Sequence, residues 1–276
     1  MIKRFITKKM LFITSLVSFS ILLIIFFSKS PVNDAEWQVQ YNLLPTVELE
    51  NDVIRIKNLR DFRYNNDGSV ALARYIDQDY ELSKFTSAWF GLSHFGKHGL
   101  AHALMSFEFA NNEFLVVSIE ARLQEKDVEG YNPIKGLFRA YNKTVVLATE
   151  QDVIGLRTHI RGEPLHLYKL DVPELYTKPL LLNFLREAQV LTRKPTFYNT
   201  IIDNCMTGLL AQSDQFRNIS SWLDTRILLP GNSDEIAYEL GYIDTSQSFA
   251  KVRENALIDP QGVQLTDTDF SQKIRQ

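Results

Sequence analysis

The sequence predicts an α+β fold, an antiparallel sheet packed on helices, carried behind one N-terminal transmembrane helix. Three observations point there. An uncharged apolar run from Met10 to Phe27 follows Lys3, Arg4, Lys8 and Lys9. Alternating apolar and polar stretches, the mark of half-buried strands, fill residues 52 to about 170. Helical periodicity becomes clear only from residue 179 onward. Strands first and helices later argue against a doubly wound parallel sheet.

At helical rise the apolar run spans about 27 Å, close to the hydrocarbon thickness of a bilayer. A cleaved signal would have a shorter apolar core and a small-x-small site. Here the run ends on Phe26 and Phe27 and continues into "SKSPVNDAEW". It reads as an uncleaved anchor, and the cations before it keep the N-terminus cytoplasmic and send the remainder across the membrane. Residues 1–28 are then the cytoplasmic N-terminus and anchor, 29–50 a Pro-interrupted linker, 51–246 an exported catalytic domain and 247–276 a polar tail. The 276 residues are 45% hydrophobic and 23% charged with a net charge of −3, which excludes disorder and any basic stripe for nucleic acid.

"DVIRIKNLRDFRY" (52–64) and "VALARYIDQDYEL" (70–82) read as strands. "AHALMSFEF" and "EFLVVSIEAR" flank Asn111 and Asn112 as a β-hairpin. "TVVLATEQDVIGLRT" and "PLHLYKLDV" add strand-like runs. A helix fits 179–193, with Pro179 in its first turn and Leu181, Phe184, Leu185, Ala188 and Leu191 on one stripe. A second fits 205 to about 216 with Asn204 as N-cap. "SDEIAYELGYID" reads as a short helix stopped by Gly241 at C′.

Cys205 is the only cysteine. An exported protein usually pairs its cysteines or lacks them, so an unpaired thiol is a candidate reactive group. A buried inert cysteine would leave the polar neighbours Asp203, Asn204 and Thr207 unexplained. At the first helical position, unpaired N–H groups and the helix dipole favour the thiolate. Gly208 is costly within a helix, and its small size would let another element come close to the thiol.

A nucleophilic thiolate needs an imidazole within hydrogen-bond reach. His94 and His98 lie in the Gly-containing "FGLSHFGKHG", and His159 and His166 fall near or in strands. His102 starts the first strand of the hairpin, on the face of Ser106 rather than that of Ala103, Met105 and Phe107. A three-residue hairpin loop would set Glu120 directly beside His102, where a carboxylate would orient the ring; a two-residue loop would turn Glu120 away and leave Ser118 as the reserve. A strand His before a helix Cys reverses the papain-like order, as a circularly permuted version would.

Across residues 55–245 the sequence resembles the exported domain of the Lnb lipoprotein intramolecular transacylases. The resemblance rests on "NLRDFRY" (58–64), "GLAHALMSFEF" (99–109), "VSIEARL" (117–123), "LFRAY" (137–141), "LRTHIRGE" (156–163), "YKL" (168–170), "FYNTIIDNCMTGL" (197–209) and "RILLPG" (226–231). It implies a permuted papain-like (NlpC-type) fold whose nucleophile and base match Cys205 and His102. It also implies a reaction: an ester-linked acyl chain of a diacylglyceryl lipoprotein moves to the amine of that lipoprotein's N-terminal Cys. The bilayer and diacylated lipoproteins are the implied partners.

The Cys205 amide is one oxyanion donor, and Tyr198, Asn199 and Asn204 are the candidates for a second. Arg60, with Asp61 and Arg63, reads as a polar substrate site or a structural ion pair; Trp89 lines an acyl pocket or fills core. No cofactor is called for, and one Cys with scattered His residues offers no zinc spacing. Two further classes stay open: an exported cysteine amidase or peptidase acting on peptidoglycan, and a non-catalytic binding module in which thiol and imidazole stand apart.

Overall fold

The computed structural model describes residues 2–96, 99–213 and 224–276, with side chains described at residue 10 and from residue 12 onward. His98, the far end of the helix expected to reach 216, and the side chains of Lys3, Arg4, Lys8 and Lys9 lie outside the described residues. α1 (Ile2–Ser28) is one continuous helix. Among the described residues, no helix is long and apolar enough to cross a membrane, so the transmembrane helix expected over 1–28 is not found there.

The strands are β1 (Thr46–Glu50), β2 (Val53–Arg60), β3 (Arg63–Tyr64), β4 (Val70–Leu72), β5 (Tyr75–Glu81), β6 (Phe85–His94), β7 (Ala101–Phe109), β8 (Glu113–Arg122), β9 (Asn142–Ala148) and β10 (Leu165–Lys169). An eight-stranded sheet runs β1-β2-β9-β8-β7-β6-β10, with β5 also on β2. Its ladders are antiparallel except for one parallel pair, Arg60 with Ala148. The helices after α1 are α2 (Pro133–Gly136), α3 (Glu150–Gly155), α4 (Glu174–Arg193), α5 (Cys205–Ala211), α6 (Thr225–Leu228), α7 (Ser233–Glu239), α8 (Phe249–Ala256) and α9 (Phe270–Lys273). The result is the expected α+β architecture of a sheet packed against helices.

Several elements depart from the sequence reading: β1 lies within the expected linker, β6 carries His94 as a strand residue rather than a loop residue, and α8 and α9 form in the polar tail. "TVVLATEQDVIGLRT" does not stay extended: β9 stops at Ala148, and Thr149 accepts from the Asp152 amide at 3.3 Å to cap α3. A π-helical turn, Leu156–Ile160, follows. α4 begins at Glu174 with Pro173 at its N-cap, so Pro179 lies inside the helix rather than in its first turn. The C-terminus of α7 behaves as read, with Gly241 at φ 70°.

Strand alternation gives the sheet two apolar faces. Ala103, Met105, Phe107, Val117 and Ile119 pack on Leu181, Phe184 and Leu185 of α4 and on Met206 and Leu209 of α5. Leu104, Val116 and Val146 face Val153 and Ile154 of α3 and, from the end of the chain, Ile258, Val263, Phe270 and Ile274. Residues beyond 247 thus cover one face despite their polar composition. Residues 29–50 also lie against the domain. Trp37 is buried beneath the Arg122 guanidinium, 3.9 Å from its ring centroid, and Tyr41 reaches the site described next.

Candidate active site

The hairpin of β7 and β8 sets the geometry. Its loop is Ala110–Asn112, with Asn111 at φ 66° and Asn112 at φ 60° in the left-handed region that Asn tolerates. The register runs from Phe109 opposite Glu113 to Met105 opposite Val117. Continued by three positions, that register sets Glu120 opposite His102, as the three-residue loop requires. The ladder itself stops at Met105, which frees the Ala103 amide from cross-strand pairing with β8.

The start of α5 sits at that gap. The Ala103 N–H donates to Cys205 Sγ at 3.5 Å. Asn204 caps the helix: its Oδ1 accepts from the Met206 and Thr207 amides, each at 2.9 Å, while Thr207 Oγ1 accepts from the Asn204 N–H at 2.8 Å. Gly208 supplies the close approach its size suggested. A Cβ there would lie 2.7 Å from Ile119 Cδ1.

The Cys205 thiol and the His102 imidazole lie close enough to couple electrostatically, each shifting the other's titration. The His102 Nε2 is 2.6 Å from Ser118 Oγ and 3.5 Å from Glu120 Oε1. Ser118 Oγ donates to Glu120 Oε1 at 3.0 Å, so it accepts from Nε2–H. Glu120 is itself held in place. The Tyr41 hydroxyl donates to its Oε2 at 2.9 Å, and Arg157 Nη2 to its Oε1 at 3.2 Å.

These contacts decide the charges. Burial pushes the Cys205 thiol up, but the charge and hydrogen bond of His102, with the Ala103 and Met206 amides, bring it below its ordinary value. Burial and the Arg157 charge push His102 down; Cys205 and Glu120 more than offset them and raise it. Burial works against a charged Glu120 too, yet His102, Arg157 and Arg60 hold it well below the usual carboxylate range. All three shifts favour a thiolate–imidazolium pair with an ionised carboxylate behind it.

A cleft of about 400 Å³ opens over His102 and Glu120. Tyr41, Tyr131, Tyr198, Arg60, Arg157 and Arg161 supply much of its lining, with Ile119, Leu123, Leu156 and Phe95 as apolar patches. Tyr198 lines the same cleft, and burial pushes its hydroxyl pKa far up, so it stays protonated.

The remaining sequence candidates fall elsewhere or are already engaged. Arg60 holds Asp152 through two bonds of 2.8 and 3.0 Å, an ion pair at the edge of the cleft. Trp89 donates to Glu108 at 2.8 Å and stacks under Arg275 on β6, away from the cleft lining. Asn199 Oδ1 accepts from the Ile201 and Ile202 amides at 2.9 and 3.1 Å and shapes a loop. Asn204 is committed to its cap. His94, His159 and His166 bond or stack away from the thiol. The structure adds Arg157 and Tyr41 to the site. Arg157 reaches Glu120 because of the π-helical turn, and Tyr41 because residues 29–50 fold back; neither leaves a periodic signal.

Fold and site together define a class: an α+β protein whose single thiol meets an imidazole, backed by a hydroxyl and a carboxylate, where a helix start enters a splayed sheet hairpin. The chain belongs to the Lnb N-terminal periplasmic domain family, whose model matches residues 71–231, a span that holds His102, Glu120 and Cys205. Membership places the domain outside the cytoplasm and ties it to Lnb-type lipoprotein processing. No match was found among curated proteins or among solved structures.

Proposed function

We propose that this protein is a membrane-anchored, cysteine-dependent acyltransferase that moves an ester-linked acyl chain of a diacylglyceryl lipoprotein to its N-terminal Cys amine. The observation that carries the reading is the placement of Cys205 Sγ on the Ala103 amide, the residue after His102, with Ser118 and Glu120 on the His102 ring and the thiol and imidazole coupled electrostatically. Strand His before helix Cys supports a circularly permuted papain-like arrangement, and α1 is the proposed anchor.

In the first half-reaction the Cys205 thiolate attacks the ester carbonyl. The C–O bond breaks, the His102 imidazolium protonates the leaving glycerol oxygen, and an acyl-thioester forms. In the second, the α-amine attacks that thioester, His102 takes the amine proton, and the C–S bond breaks to return the thiolate. One ester is exchanged for one amide, with no cofactor consumed. The Cys205 amide and the Tyr198 hydroxyl are the proposed donors to the oxyanion of both tetrahedral intermediates.

The polar lining of the cleft favours a second reading, an exported amidase or peptidase acting on peptidoglycan. Intact masses after incubation with a synthetic diacylated lipopeptide separate the two. An acyl adduct on Cys205 that hydroxylamine releases, with the peptide's acyl chain moved onto its amine, supports the acyltransferase. Unmodified enzyme and lipopeptide, beside cleaved muropeptides in a parallel reaction, would assign the protein to the amidases.

A further inference from the structure

Two loops beside the cleft carry an apolar edge that the acyl-transfer chemistry does not use. Ile134 and Phe138 are 69% and 57% exposed, and Ile201 and Ile202 are 47% and 69% exposed. Scattered exposed apolar side chains are ordinary on any surface. These four differ because their loops are locked together. Thr200 Oγ1 donates to the Pro133 carbonyl at 2.6 Å and meets the Tyr131 hydroxyl at 2.9 Å, and a Cβ on Gly136 would overlap it. The Asn199 and Asp203 backbones bond each other twice at 3.1 Å, which holds Ile201 and Ile202 at a rigid tip. Three residues further on is Cys205.

The same edge continues into α1. The Arg139 guanidinium lies 4.6 Å from the ring centroid of Phe26, 4.9 Å from that of Phe27 and 5.6 Å from that of Phe197. Lys29 Nζ donates to the Phe138 carbonyl at 2.9 Å. Before this junction the apolar side chains of α1 from Phe12 to Phe27 are largely exposed. Aromatic rings met by Lys and Arg, between an apolar helix and a polar domain, are the composition of a membrane–water interface.

We infer that Ile134, Phe138, Ile201 and Ile202 form a lip that dips into the lipid bilayer beside α1, so that the cleft opens at the boundary between headgroups and acyl chains. The lip deepens the acyltransferase reading and rests on it for its purpose: an ester linkage at that depth reaches the thiol without its lipid leaving the membrane. Its physical test is independent of turnover.

The full chain, with Cys205→Ser as background, is placed in vesicles of zwitterionic and anionic phospholipid and labelled with an environment-sensitive fluorophore at Phe138→Cys, Ile202→Cys or Glu254→Cys. Glu254 is the control, its side chain 71% exposed on α8. Labels at 138 and 202 should be quenched by spin-labelled acyl chains and shielded from aqueous iodide, with the reverse at 254. Iodide quenching at 138 and 202 equal to that at 254, or failure of the chain to associate with vesicles, overturns the lip. In the otherwise unmodified chain, Ile134→Glu with Ile202→Glu should lower turnover of vesicle-embedded lipopeptide about tenfold through lost local concentration. Cleavage of a water-soluble short-chain thioester should be unchanged. Deep labels without acyl transfer would overturn the acyltransferase reading and leave the lip standing.

Discussion

Gly208 of α5 and Ile119 of β8 touch so closely that a Cβ on the glycine would come within 2.7 Å of Ile119 Cδ1. Ile119 is 2% exposed and belongs to the packed core that α5 lies against. Gly→Ala inside a helix ordinarily gains about 1 kcal/mol. Here overpacking of about 1–3 kcal/mol should outweigh that gain. Gly208→Ala should therefore lower the melting temperature and, by displacing α5 and its thiol, the turnover. Adding Ile119→Val removes the clashing methyl and should recover part of both; no recovery would mean that the contact does not position the thiol.

Cys205 and His102 should titrate as a unit. The thiol lies below its ordinary 9.0 and the imidazole above its ordinary 6.5, and both shifts favour the ion pair. Alkylation of Cys205 by iodoacetamide should rise with pH along a limb set below that of a free thiol. In His102→Ala, burial acts on the thiol without the imidazolium, and the limb should move to higher pH. An unmoved limb would remove the ion pair from the mechanism.

Removal of either member should abolish acyl transfer. Cys205→Ala, His102→Ala and the double variant should lose turnover to nearly the same extent, because the pair acts together. Losses that multiply in the double variant would point to independent roles.

Glu120 touches the ring only at 3.5 Å but shares Ser118 with it. Glu120→Gln should leave partial activity and move the alkaline limb of turnover to lower pH, since His102 loses a group that raises it. Arg157 would lose its anionic partner, a change that costs about 3–5 kcal/mol for a buried pair. A carboxyl held below its ordinary 4.5 contributes stability above that pH, and the contribution is lost as pH falls through the lowered value. Urea denaturation of Glu120→Gln should thus show a flatter acid side than that of the parent protein.

Tyr198→Phe tests the second oxyanion donor. Loss of one such donor typically costs 10²–10³ in turnover, so a reduction of about that size with little change in substrate affinity is expected. Full activity in Tyr198→Phe would return the role to another group in the cleft.

The sequence by itself determined the parts whose signals are local. Alternation in "AHALMSFEF" and "EFLVVSIEAR", with two Asn residues between, was enough to expect a hairpin and, given a three-residue loop, to bring Glu120 to His102. Asn204 before a helical run announced a cap, and a lone thiol at the next position marked the candidate nucleophile. Each of these follows from φ/ψ preference, strand parity or an unpaired helix end, properties that a short window contains. The tertiary structure decided what depends on distant segments. It chose the three-residue loop over the two-residue one, kept Asn204 and Asn199 as backbone caps, and engaged Trp89 with Glu108 and Arg275 outside the cleft lining. It also brought Tyr41 and Arg157 onto Glu120 from positions 79 and 37 residues away. Such contacts are fixed by which surfaces bury one another when sheet and helices close. No periodicity in the sequence encodes that choice, because the same tyrosine and arginine would satisfy their own local structure equally well facing water.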